Sequence, residues 1–262
     1  MKLITSNYRE WLRLPICVLL MAAALIGSGF INIPYLPVGL LLVMLINYTM
    51  FRSEGLSFSA LGFDLKFRHL LLVPAGIVLA MAAYLLSFCF GAWVRGNSFH
   101  GNASVNWPEL LKQLWRVLPT TAVQDFLVVG YCYHKFIRLT NIRVATIVVG
   151  LCFVSMHDVW GGNLVNDLFY ALILFTGYLM FSTALLRSGS IWLVIGLHWG
   201  NNVTNSCVFT FNQTPTSWLF LSGPKDVFTA WQAIGLLAAG FIGAASVIAL
   251  VSVVWRKRRL IL

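Results

Sequence analysis

The chain of 262 residues carries a net charge of +10, yet only 10 % of its residues are charged, 59 % are hydrophobic, and mean hydropathy is +0.83. A soluble domain devotes about 25 % of its residues to charge, so the composition excludes a cytosolic enzyme, a disordered protein and a coiled coil. An integral membrane protein remains, and long apolar runs without two-residue alternation predict helices rather than a β-barrel.

A helical span needs about 20 apolar residues. In chain order, runs at about 14–31, 33–51, 70–94, 118–137, 142–158, 163–186, 189–208 and 230–254 predict eight transmembrane helices in a single membrane domain, 1–262. The first run is read as a span and not a cleavable signal, because no small-residue cleavage site leads into a polar segment before the second run begins. Between the third and fourth runs, Leu110, Leu111, Leu114, Trp115 and Leu118 share one helical face. Glu109, Lys112, Gln113 and Arg116 share the other. With Asn106 as a cap and Pro108 in the first turn, this segment predicts an interfacial helix lying flat, or else the tilted start of the fourth span. Trp93, Trp107 and Trp115 are expected as interfacial anchors.

The basic residues sit at the ends of apolar runs, which argues for membrane topology and against a nucleic-acid partner. With the N-terminus inside, fourteen Lys and Arg fall on inner segments and four (Arg95, Lys112, Arg116 and Lys225) on outer ones. That split predicts both termini in the cytoplasm, in a bacterial inner membrane or a plasma membrane. The five cysteines form no CxxC pair and read as structural thiols.

Polar groups inside a bilayer are costly and mark candidate sites. Gln124 and Asp125 lie in the fourth span with no basic residue within one turn, His157 ends the fifth, and the seventh carries His198 and Asn202. His198 and Asn202, four apart, share a helical face, and both side chains can donate to a developing oxyanion. His157 is a candidate general base or its partner, and Asp125 can orient a histidine or polarise water. Two histidines and a carboxylate are also compatible with zinc; a metal-free site needs no cofactor. A network that only locks helices together is the structural alternative. Asp158 and Asp167 read as solvated or capping residues.

At these positions the sequence resembles the CPBP family, the intramembrane proteases that include CAAX prenyl endopeptidases and bacteriocin-processing (Abi) proteins. Its FxxxH motif is matched by Phe153-Val154-Ser155-Met156-His157, and its HxxxN/D motif by His198-Trp199-Gly200-Asn201-Asn202. Gly189-Ser190-Ile191-Trp192-Leu193 is similar to the lead-in of the latter motif, and Leu61-Gly62-Phe63 to an N-terminal marker; the CPBP-like core covers about 60–206. The resemblance implies an all-helical membrane bundle that hydrolyses a peptide bond of a membrane-associated protein or peptide. It also implies that an acid working with His157 activates water while His198 and Asn202 hold the oxyanion. The family's EExxxR motif is altered: Gln124 replaces its first glutamate, Asp125 its second and Val129 its arginine. Gln124 is no base. Asp125 can serve as one or remain a protonated structural acid, and it points about 100° away around the helix. Two readings follow, an intramembrane peptidase and a catalytically impaired scaffold or immunity protein that binds a membrane partner. A transporter would show a two-fold pattern of broken helices, which the sequence lacks. The reading places the cavity in the outer half of the bilayer.

Overall fold

The computed structural model describes residues 8–31, 33, 36–159, 161–223 and 229–255. Lys2, Lys225 and the basic run 256–259, all part of the predicted charge asymmetry, lie outside them. Among the described residues the helices are α1 (Tyr8–Ser28), α2 (Val38–Ser53), α3 (Phe67–Leu70), α4 (Leu72–Arg95), α5 (Trp107–Val128), α6 (Tyr131–Leu139), α7 (Ile142–Ser155), α8 (Leu164–Ser188), α9 (Ile191–Val203) and α10 (Ala230–Val254).

The all-α class holds, but eight equal spans do not emerge. Four helical stretches, Tyr8–Ser28, Phe67–Arg95, Leu164–Ser188 and Trp231–Val254, are long and apolar enough to cross a membrane. Val38–Ser53 and Ile142–Ser155 are apolar but shorter. The remaining two expected spans are not among these helices, for identifiable reasons. The run 118–137 breaks at Gly130, and the run 189–208 yields only the 13-residue α9, which passes into a π-helical turn at Thr204–Val208. α9 is buried on most sides, with Ile191, Leu193, Val194 and Leu197 all at 0 % exposure. A helix enclosed by its neighbours has no need of bilayer length.

No separate interfacial helix forms either. α5 runs unbroken from Trp107 through Pro119 to Val128, with Asn106 accepting the Glu109 N–H at 3.1 Å and Pro108 in the first turn. The segment is thus continuous with the helix of the fourth run. Thr120 and Thr121 hydroxyls, donating to Val117 and Leu118 carbonyls, engage backbone acceptors in the turn before the proline. The chain breaks at Gly130 because α2 crosses there: a Cβ would collide with Asn47 Oδ1 and with the Phe126 carbonyl. Asn47 Oδ1 accepts the Tyr131 N–H at 2.7 Å, so a side chain of α2 satisfies a donor at the start of α6.

Glycines also set the central crossing. A Cβ on Gly196 would collide with the Val73 carbonyl, and one on Gly200 would lie 2.7 Å from Ile77 Cα. α9 and α4 thus run side by side in near backbone contact, the close approach that small residues four apart permit. His198 sits about 200° around α9 from each glycine, so its ring is directed away from α4. The Leu61-Gly62-Phe63 marker docks on the lead-in to α9. Gly62, at φ +65°, lies against the Gly189 carbonyl, Ser190 Oγ donates to Gly62 O, Trp192 Nε1 donates to Asp64 O at 2.8 Å, and Phe63 stacks on Trp192.

One end of the bundle carries a three-stranded sheet that the sequence pattern does not anticipate. β1 (Ser98–Gly101) pairs antiparallel with β3 (Leu219–Ser222), His100 opposite Phe220, and β2 (Phe209–Thr210) pairs parallel with β3. A small core of Phe88, Leu110, Val208, Phe209 and Leu221 lies beneath it.

The opposite end is tied by charge. Lys135 of α6, only 2 % exposed, bonds both Glu10 of α1 and Glu54 at the end of α2, the latter at 2.7 Å. Arg138 Nη1 meets Glu54 Oε2 at 2.7 Å, and Tyr131 donates to Oε1. Burial opposes ionisation of Glu54. The Lys135 and Tyr131 hydrogen bonds and the Lys135 and Arg138 charges outweigh it and hold the carboxyl below the usual range. A depressed folded-state value stabilises the fold above the unfolded glutamate pKa, about 4.3, and that contribution disappears as pH falls through the folded value. Thermal unfolding in detergent from pH 7 to pH 3 should therefore show an acid loss of stability that is smaller in Glu54→Gln. Identical pH profiles for the two proteins would refute the assignment.

Candidate active site

Three helices bring polar side chains to one partly open cavity of about 810 Å³. Gln124 reaches it from the last turn of α5, His157 from just beyond α7, and His198 and Asn202 from α9. Asn141 starts α7 by accepting the Val144 N–H at 3.0 Å, and α7 delivers Phe153 and His157 one turn apart. The Phe153 ring lies 4.7 Å from the His157 ring and 6.2 Å from the His198 ring, so one aromatic side chain spaces the two imidazoles. Phe181 of α8 lies 4.5 Å from the His198 ring and 6.3 Å from the Phe153 ring, so the three rings form one cluster.

Asp125 does not line the cavity. Its neighbour Gln124 does, and adjacent helix residues point about 100° apart, so the carboxylate is turned toward α9. The expected partnership of Asp125 with His157 is replaced by one with His198: Asp125 Oδ1 meets His198 Nδ1 at 2.8 Å, and both side chains are buried. Val129, where the family motif has arginine, is 0 % exposed in the main apolar core. The partner that Asp125 has is a histidine from another helix.

Both imidazoles are fixed by their Nδ1 atoms. His157 Nδ1 lies 2.8 Å from the Phe153 carbonyl. A carbonyl only accepts, so this nitrogen carries the hydrogen and the neutral ring keeps its lone pair on Nε2. His198 Nδ1 is held by Asp125, which leaves Nε2 as its other polar atom. When the Asp125–His198 pair holds one proton between the two groups, Nε2 accepts; when it holds two, Nε2 donates. The cavity therefore presents one histidine poised to accept a proton and a second whose role the aspartate's proton sets. Gln124 adds a carboxamide whose Oε1 is buried without a hydrogen-bond partner.

Among the described residues no three His, Cys, Asp or Glu side chains are grouped to hold a metal ion. A catalytic zinc site takes three such protein ligands, whereas the only such groups among the described residues lining this cavity are two imidazoles, with no carboxylate or thiol. The donor set does not fit the zinc alternative.

Asn166, Asn201, Asn205, Tyr84 and Arg95 also line the cavity. Sequence reasoning gives none of them a place in the site; the Asn201-Asn202-x-x-Asn205 run of carboxamides in an apolar stretch is the signal that could have found the two asparagines of α9 and its extension. Asp158 is exposed. Asn163 caps α8, while Asp167 accepts only a 3.4 Å contact from the Gly162 N–H.

Residues 106–204 match the family model described as Type II CAAX prenyl endopeptidase Rce1-like. The match runs from the cap of α5 to the end of α9 and contains Gln124, Asp125, His157, His198 and Asn202. It shows the resemblance that the motifs carry, over rather more than a third of the chain. No curated protein and no solved structure matches significantly. The segment similar to that family model and the apolar helices together support an integral membrane protein.

Proposed function

We propose that the chain is a CAAX-type intramembrane endopeptidase that hydrolyses a peptide bond of a membrane-associated substrate. The observation that carries this reading is the pair of imidazoles, each fixed at Nδ1, that line one cavity. His157 Nε2 accepts a proton from water as its oxygen attacks the scissile carbonyl carbon. The doubly protonated Asp125–His198 pair donates through His198 Nε2 to the oxyanion, and Asn202, on the same face of α9, adds a second donor. As the tetrahedral intermediate collapses, the C–N bond breaks and the His157 imidazolium returns its proton to the leaving amine. Asp125 is thus a positioning residue. Gln124 holds water or a substrate amide in the place of the family's acid. Both termini are cytoplasmic and the cavity opens toward the opposite side. Clustering of Arg13, Lys135 and Arg138 at the end away from the sheet supports that orientation.

A second reading, a relative that binds a membrane peptide without cutting it, draws on Gln124, a carboxamide where the family has an acid. Gln124→Glu separates the two. In an enzyme it supplies a carboxylate beside His157 and raises hydrolysis of an apolar membrane-inserted peptide at least tenfold. In a binding protein it adds a poorly solvated charge near Asp125, lowers the unfolding temperature and yields no product. Product analysis by mass spectrometry beside a thermal melt reads both outcomes.

A further inference from the structure

The polar wall of the cavity continues along the chain past His198 and Asn202. Asn205 lines it too, just beyond the family match, which ends at residue 204. It stands in the π-helical turn Thr204–Val208, where the Phe209 N–H reaches back five residues to the Thr204 carbonyl. Two hydroxyls brace that turn: Thr204 Oγ1 donates to the Gly200 carbonyl and Ser206 Oγ to the Asn202 carbonyl, each at 2.6 Å. Widened turns of this kind gather at functional sites. From α4, Tyr84 also lines the cavity, and its hydroxyl donates to Asn205 Oδ1 at 2.5 Å. The Tyr84 ring is held in turn by stacking on Phe88 at 6.2 Å and on Phe209 at 6.5 Å. A carboxamide whose oxygen is occupied keeps two N–H donors. Among the described residues no group accepts from Asn205 Nδ2, and the side chain is exposed, so both donors are open to the cavity.

We propose that Asn205, aimed by Tyr84, binds a main-chain carbonyl of the peptide about three residues from the scissile bond. The inference rests on the peptidase reading of the cavity and names a substrate-positioning pair for it. Asn205 lies seven residues beyond His198, about 10 Å along α9 at about 1.5 Å per residue. An extended peptide advances about 3.3 Å per residue, so a chain whose scissile carbonyl sits at His198 and Asn202 lays another carbonyl at Asn205. An unconstrained asparagine offers both a donor and an acceptor and takes either edge of an amide. With Oδ1 engaged by Tyr84, Asn205 is a donor only and selects a carbonyl oxygen. Every peptide unit carries one, so the contact sets the register of the chain without reading its side chains. Holding the peptide at a point away from the reacting bond brings that bond to the histidines in a fixed geometry. Tyr84 acts through Asn205, and its own hydroxyl is satisfied by the same bond, which leaves no unpaired donor against the apolar wall.

The test uses the full chain carrying His157→Ala, so that no probe is consumed. It is held in nanodiscs of ether-linked phosphatidylcholine, whose lipids offer no ester carbonyl to Asn205. The probes are a fluorescent apolar decapeptide and its analogues in which one backbone amide at a time is replaced by an ester. An ester keeps the course of the chain and weakens that carbonyl as an acceptor. It also removes an N–H, but that loss is indifferent to Asn205, whose oxygen Tyr84 holds. One ester, about three residues from the bond that the His157-containing protein cuts, should lower affinity about three- to tenfold, the loss of one hydrogen bond. That penalty should vanish in Asn205→Ala and shrink in Tyr84→Phe, and Tyr84→Phe should have no further effect once Asn205 is alanine. Asn205 is exposed and Tyr84→Phe removes only a hydroxyl, so both variants should melt near the temperature of the parent. A scan in which no ester penalty depends on Asn205 would overturn the proposal. So would a Tyr84→Phe effect of equal size with and without Asn205, which would make Tyr84 a packing residue. An Asn205-dependent penalty with peptides that the His157-containing protein never cuts would sink the peptidase reading and leave the subsite standing. Cleavage with a scan indifferent to Asn205 would do the reverse.

Discussion

Replacing His157 by alanine should lower the rate constant of peptide hydrolysis by about 10²–10⁴-fold, the usual contribution of a positioned general base. Binding of the peptide should change by no more than a few-fold. The side chain is half-buried at the end of α7, and its one fixed polar contact is to the carbonyl of Phe153 in the same segment. Its removal leaves the packing of α7 on α8 intact, so a melting temperature near that of the unaltered protein is expected. Single-turnover kinetics with a membrane-inserted peptide, read beside equilibrium binding, separate these quantities. Loss of binding equal to the loss of rate would mean that His157 is a binding residue and not a base.

Asp125→Asn should have the second-largest effect, about 10²–10³-fold in rate, the cost of losing one oxyanion donor. The introduced carboxamide offers a carbonyl oxygen that accepts from His198 Nδ1–H. In either orientation the amide is neutral and cannot stabilise an imidazolium as a carboxylate does. Charge-assisted oxyanion donation through Nε2 is lost while shape and burial are retained. The diagnostic readout is the pH profile. A positioning carboxylate contributes an acid or base limb that moves when it is replaced, whereas a residue that only packs lowers the rate at all pH values alike. An unchanged profile with an unchanged rate would remove Asp125 from the site.

Much of the site was legible because bilayer chemistry makes polar residues conspicuous. His157, His198 and Asn202 stand out in apolar runs, and helical spacing alone puts His198 and Asn202 on one face. The same period shows that Gln124 and Asp125 diverge. It does not show which of them faces the cavity, because that depends on the packing of α5 against α9, fixed by non-local contacts. Val129 reads in sequence as a lost arginine; in the fold it is core, and His198 is the partner that Asp125 keeps. Arg95 reads as one of four basic residues on outer segments. In the fold it lines the cavity with its guanidinium over Phe211, more than one hundred residues away in sequence.

The fold was legible where periodicity is long and hidden where it is short. α1, α4, α8 and α10 follow directly from their apolar length. The break at Gly130 depends on Asn47 of α2, which no local pattern reveals. The three strands are four residues long or shorter and lie in connecting segments, so two-residue alternation has no room to appear. Lys135 lies at the end of the run 118–137 and counts among the inner cations; in the fold it is buried between Glu10 and Glu54, on the separate helix that follows the break at Gly130.

The central claim is that this cavity hydrolyses peptides through its two histidines. The most direct measurement is mass spectrometry of an apolar, membrane-inserted peptide incubated with the purified protein in lipid nanodiscs. The unaltered protein should release a new pair of fragments, and the His157→Ala/His198→Ala double variant should release none while still binding the peptide. Cleavage that persists in the double variant, or intact peptide bound but never cut by the unaltered protein, would contradict the claim.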